Sequence, residues 1–165
     1  MTLSRFHRAA ITFVILLPML AFLYWHYGRI ENIMSITGIG SNEAVNVQEV
    51  KIIKRPNYLG EIMDKVTITD VKTCTELFES LKTYELRKAF MEREPRHKTY
   101  YSIAVKIRDK GTLKLIAEGK NHLVIWDSIT DFNPYEKDNN PGHHFLYKII
   151  GKEFDVEYLE KLLNQ

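Results

Sequence analysis

Between residues 101 and 107 the chain alternates without a break. Tyr101, Ile103, Val105 and Ile107 fall on one side, and Ser102, Lys106 and, one step on, Arg108 fall on the other. A period of two over this length predicts a strand with one face in a core. Asp109-Lys110-Gly111 then supplies a hairpin turn, and Leu113, Leu115 and Ala117 alternate with Lys114 on the return. After a turn at Gly119-Lys120, residues 121–126 read as the third strand of a meander. Upstream, residues 47–54 are strand-like and end at Pro56, residues 66–69 give a short strand, and downstream residues 144–150 give the last one.

Helical spacing appears twice. Val71, Cys74, Leu77, Phe78 and Leu81 recur at three- and four-residue intervals, with Asp70 or Thr73 as the cap and Thr73 to Glu76 spaced as a capping box. Beyond Tyr84 a less regular pattern runs through Phe90 to a stop at Pro95. Asp155 opens a closing helix with Val156, Leu159, Leu162 and Leu163 on one face. The order is strand, strand, helix, three-stranded meander, strand, helix. It predicts an α+β domain over residues 47–165, with a mostly antiparallel sheet and two helices packed on one face.

The N-terminal pattern is of another kind. Residues 9–27 contain no Asp, Glu, Lys or Arg. Nineteen residues of helix span about 28 Å, close to the roughly 30 Å of a bilayer's hydrocarbon core. Tyr24, Trp25 and Tyr27 crowd the downstream end, where amphipathic rings favour the headgroup region, and Pro18 is tolerated in membrane helices. Arg5 and Arg8 before an apolar run also suit a secretory signal, but the bulky residues 23–27 do not suit a signal peptidase, and a late site at residues 37–40 lies far downstream. The reading is an uncleaved anchor: a cytoplasmic tail over 1–8, a transmembrane helix over 9–27 and a juxtamembrane connector over 28–46. Arg5 and Arg8 precede the helix, and Arg29 alone follows it before Lys51, which puts the domain outside the cytoplasm. The lack of any Asn-x-Ser/Thr acceptor fits a bacterial inner membrane better than a eukaryotic secretory lumen.

At 165 residues there is room for one ordinary domain after the anchor. The net charge of +2 is spread without blocks. The cations Arg87, Lys88, Arg93, Arg96 and Lys98 are interleaved with Glu85, Glu92 and Glu94, so no nucleic-acid footprint is expected. Cys74 is the sole cysteine; it falls on the apolar stripe of the first helix and reads as core. His122, His143 and His144 lack metal-ligand spacing even with Asp127, Asp131 and Asp138 nearby, and Ser80, Ser102 and Ser128 lack a nucleophile-elbow pattern. No catalytic residue, metal or cofactor is assigned.

What remains is the long loop 127–142. Loops of more than about 12 residues are often functional. Trp126, Phe132, Tyr135 and Tyr100 are the candidate partner-binding anchors, since aromatic side chains dominate interface hot spots. The expectation is a membrane-anchored extracytoplasmic interaction domain with a protein partner, for example a toxin-immunity protein or an accessory subunit of an envelope complex. The alternative is a membrane-tethered sensor of a small molecule or peptide, with its pocket between sheet and helices.

Overall fold

The computed structural model describes residues 5–39, 46–56, 61–89, 99–126 and 144–164, with side chains from residue 12 onward and that of His144 left out. Its centre is one eight-stranded antiparallel sheet. The strands are β1 (Ile30–Glu31), β2 (Val47–Arg55), β3 (Asp64–Ile68), β4 (Glu85–Lys88), β5 (Tyr100–Ile107), β6 (Gly111–Glu118), β7 (His122–Trp126) and β8 (His144–Ile150), in the spatial order β1-β4-β8-β7-β6-β5-β2-β3.

The predicted meander is present as β5, β6 and β7. Its first turn places Asp109 at φ +60° and Gly111 at φ +106°, both in the left-handed region that aspartate tolerates and glycine favours. Alternation aims Val50, Ile52, Ile103, Val105, Leu113, Leu115 and Ile125 at one face, all of them buried. Two helices cover that face, α3 (Val71–Lys82) and α4 (Val156–Leu163). Cys74, Leu77, Phe78 and Leu81 of α3 and Leu159, Leu162 and Leu163 of α4 complete the core. Both caps are aspartates. Asp70 accepts from the Thr73 amide at 2.9 Å, and Asp155 accepts from the Tyr158 amide at 2.9 Å. Of the two caps read from sequence for α3, Asp70 is the one used, and the Thr73 hydroxyl donates to the same carboxylate. The α+β architecture with an antiparallel sheet and helices on one face is as expected.

Two stretches differ. Residues 85–88, expected to continue a helix-like pattern toward Pro95, form β4 between β1 and β8. Only Leu86 of the four is buried, so a single inward residue carried no readable period. The connector 28–46 is also not a passive spacer over its described part. β1 pairs Ile30 with Arg87 and Glu31 with Leu86, and a short helix α2 (Ile33–Thr37) follows at once. Asn32 caps α2 by accepting from the Ser35 amide at 2.9 Å, the Ser35 hydroxyl accepts from the Asn32 amide at 3.1 Å, and Gly38 closes it at φ +71°. Ile33, Met34 and Ile39 are buried in the common core. β1 and α2 thus pack with the sheet and core formed by residues 47–165.

Upstream lies α1 (Arg5–Leu23), which runs into a π-helical turn, Tyr24–Gly28, stacked internally by Phe22 on His26 at 5.1 Å. From Phe13 to Phe22 its large apolar side chains are 49% to 72% exposed. Among the described residues no helix is long and apolar enough to cross a membrane.

Candidate functional site

Every strand pair is antiparallel and, apart from a register shift between Val47 and Glu49 on β2, the pairing is regular, so the sheet sorts its side chains into two faces. The first lies under α3 and α4 and is apolar except at its margins. Its main polar feature fastens α4 to the sheet: Lys54 meets Glu160 at 2.7 Å, and the Tyr101 hydroxyl donates to the same carboxylate. Hydrogen bonds from Lys54 and then Tyr101 hold the Glu160 carboxyl below its usual value, while burial and the carboxylate push the Tyr101 hydroxyl up.

The second face is built differently. One row crosses six strands as Arg55, Tyr100, Glu118, His122, Lys148 and Arg87, and ends at Ile30 on β1. The row two residues along holds Ile53, Ser102, Ile116, Val124 and Leu146, and the next holds Lys51, Ala104 and Lys114. Among the described residues this face carries Lys51, Arg55, Lys65, Arg87, Lys106, Lys114 and Lys148 against Glu49, Glu85 and Glu118. On α3, by contrast, Lys72 pairs with Glu76 and Lys82 with Glu79. The middle of the second face is closed to water: Glu118 is fully buried, and Val124, Tyr100 and Ile53 are nearly so. Lys114 is half-buried there, and loss of hydration pushes its ammonium down to about 8.

No family model matches the chain, and no curated protein or solved structure matches it.

The aromatic anchors read from sequence fall as follows. Tyr100 and Trp126 share the second face, the first buried and the second half-buried. They stand four residues apart along the sheet on strands two apart, a separation of about 16 Å from strand rise and spacing. They form no single cluster. Phe132 and Tyr135 lie outside the described residues, as do His143 and the acidic positions of loop 127–142. His122 sits on the second face beside Glu118. Cys74 is buried, its thiol donates to the Ile68 carbonyl at 3.3 Å, and burial pushes its pKa up, away from thiolate chemistry. Among the described residues no three His, Cys, Asp or Glu side chains could hold a metal.

Among the described residues, two cavities bear on ligand binding. One of about 270 Å³ opens at the start of α4, lined by Lys120, Glu153, Phe154, Asp155, Val156 and Glu157. Its charges answer one another, with Lys120 at 3.4 Å from Glu153 and 3.6 Å from Glu157. The other, between α3 and α4 around Leu77, Tyr84 and Phe154, has about 10 Å³, room for a single water. Sequence reasoning did not find the cationic face, because its members come from six separate strands and fall together only in the folded register. The signal that could have hinted at it was Lys51, Lys106 and Lys114 on the outward positions of the alternating strands.

Proposed function

We propose that this chain is a membrane-anchored interaction domain: residues 9–27 span a bacterial inner membrane, and the α+β domain stands outside the cytoplasm to bind a protein partner. The observation that carries the reading is the exposure of α1. Phe13, Val14, Ile15, Leu16 and Leu17 are consecutive and all solvent-facing, so at 100° per residue they cover the whole circumference of the helix. A helix apolar on every side requires an apolar surround; among the described residues α1 alone does not have the length and apolarity of a span, and the charge-free run 9–27, which adds the π-helical turn to it, comes to about 28 Å, close to a bilayer's hydrocarbon core.

The core supports an uncleaved anchor. A cut at residues 37–40 would detach β1 and α2 and strip Ile33 and Met34 from the interior. A processed domain would begin with a hole in its own core. Interaction is favoured over a small-molecule sensor because, among the described residues, the cavity of about 270 Å³ at the start of α4 has its charges already paired and the gap between α3 and α4 holds a single water.

Alkaline carbonate extraction of cells making the full chain tests this, with the mass of the recovered protein. The full chain should stay in the membrane pellet with its N-terminus intact, and added protease should reach the domain from the outer side only. Release into the supernatant, or a chain trimmed at residues 37–40, would overturn it.

A further inference from the structure

We infer that the anchor-side margin of the second face, the row Ile30, Arg87, Lys148, lies against anionic phospholipid headgroups at the membrane surface. The inference rests on the anchored reading above.

Chain length keeps this margin close to the helix end. Gly28 ends the π-helical turn and Ile30 begins the sheet, with Arg29 alone between them. Two residues of extended chain reach about 7 Å, and each further strand adds about 4.8 Å. β1, β4 and β8 therefore stay within some 17 Å of the point where the helix leaves the lipid. The π-helical turn packs on β4, which removes the swing that a flexible linker would allow. Tyr24 and Trp25, at the helix end, are 75% and 70% exposed, which suits rings seated at the headgroup level.

Chemistry on that margin then decides the partner. Ile30 is 54% exposed and Arg87 beside it is also exposed, with Lys148 next in the row. An exposed aliphatic flanked by cations is the composition of a surface that meets headgroups and the first methylenes beneath them. Glu31 points to the opposite face and is engaged by Arg29 at 3.5 Å. Glu85, the carboxylate that shares this face on β4, stands two residues from Arg87 along the strand. Phosphate charge near this margin would be felt directly, because the Debye length at physiological salt is about 8 Å.

The test uses the full chain reconstituted into vesicles of phosphatidylcholine alone, and of phosphatidylcholine with about a third phosphatidylglycerol. Arg87 is labelled with a dicarbonyl reagent and Lys148 with an acylating one, and Lys65 and Lys106 on the far strands serve as exposed references. Flotation with the vesicles at alkaline pH reports the anchor separately. The expected result is flotation in both cases, with labelling of Arg87 and Lys148 reduced about threefold only when phosphatidylglycerol is present and restored by about 0.5 M salt. Arg87→Glu should abolish the protection of Lys148, and Lys65→Glu should leave it. Flotation with labelling indifferent to phosphatidylglycerol overturns the inference and leaves the anchor standing. Equal protection of Lys65 and Lys106 also overturns it, since adsorption would then not be confined to this margin. Failure to float removes the anchor itself, and the inference with it.

Discussion

In the meander β5–β7 each strand turns directly into its neighbour, whereas at the other margin β1, β4 and β8 are assembled from segments more than fifty residues apart in sequence. Both regions satisfy the same backbone hydrogen bonds. They differ in what holds them in place. A hairpin is fixed by its turn, and the margin must be fixed by packing, since local geometry does not bring Ile30 to Arg87. Ile33, Met34, Ile39, Leu86 and Ile149 supply that packing. The segment that follows α1 and its π-helical turn is thus also a structural part of the sheet.

The largest expected effect follows from removing it. A chain beginning at residue 40 loses three buried aliphatic side chains, each worth about 1.5–3 kcal/mol, against a total stability of about 5–15 kcal/mol. In urea it should show no cooperative transition or a midpoint lowered by at least about half. A chain beginning at Arg29 should keep the full transition. Equal midpoints would show that β1 and α2 are ornaments on the domain.

The single substitution Ile33→Ala makes the comparison finer. It should cost about 3 kcal/mol, close to Ile103→Ala in the meander, because both side chains are fully buried. The two should differ in where they loosen the fold. By hydrogen exchange, Ile33→Ala should speed the amides of Leu86 and Arg87 while those of Leu113 and Leu115 hold, and Ile103→Ala should speed all of them together. A uniform response to Ile33→Ala would mean that margin and meander open as one unit.

The same contrast explains what the sequence disclosed. Tyr101, Ile103, Val105 and Ile107 declare a strand because four inward residues repeat at period two, and Cys74, Leu77, Phe78 and Leu81 declare α3 in the same way. β4 has one buried residue and β1 has two residues in all, so neither shows a period. α2 did carry a local signature, Asn32 with Ser35 before it closes at Gly38, but its cap lacks the glutamate that makes such boxes conspicuous. Of the second face, outward lysines were legible one strand at a time. Their gathering into one cationic surface depended on strand order, which pairwise alternation does not encode.

A smaller effect probes how α4 is fastened to the sheet. Glu160→Gln removes the charge that Lys54 and Tyr101 share. A third of the Glu160 side chain remains exposed, so solvent screening limits the loss to about 1 kcal/mol. The folded carboxyl sits below its ordinary value of 4.5, so the folded state binds fewer protons than the unfolded chain in that range. The stabilisation is complete above about 4.5 and disappears as pH falls through the lowered folded value. Urea midpoints of wild type and Glu160→Gln should therefore converge in acid. Parallel curves down to the acid limit would detach Glu160 from the stability of α4.

The smallest effect lies on the meander's outward side. Lys114 falls to about 8 in the folded state from an ordinary 10.5, with burial as the cause. Below about 8 both folded and unfolded chains carry the charge, and the folded one bears the full cost of its lost hydration. Between about 8 and 10.5 the unfolded chain binds the extra proton, so stability should rise with pH across that window. Because the ammonium is only partly buried, water screens the gain to under about 1 kcal/mol. Lys114→Gln should flatten this segment of the stability curve and leave the acid limb of Glu160 untouched. Lys65 and Lys106 lie on the same face but are exposed, so replacing either should leave the alkaline rise in place. If Lys106→Gln flattened it as much as Lys114→Gln does, the rise would belong to the overall charge of the face and not to the covered middle of the sheet.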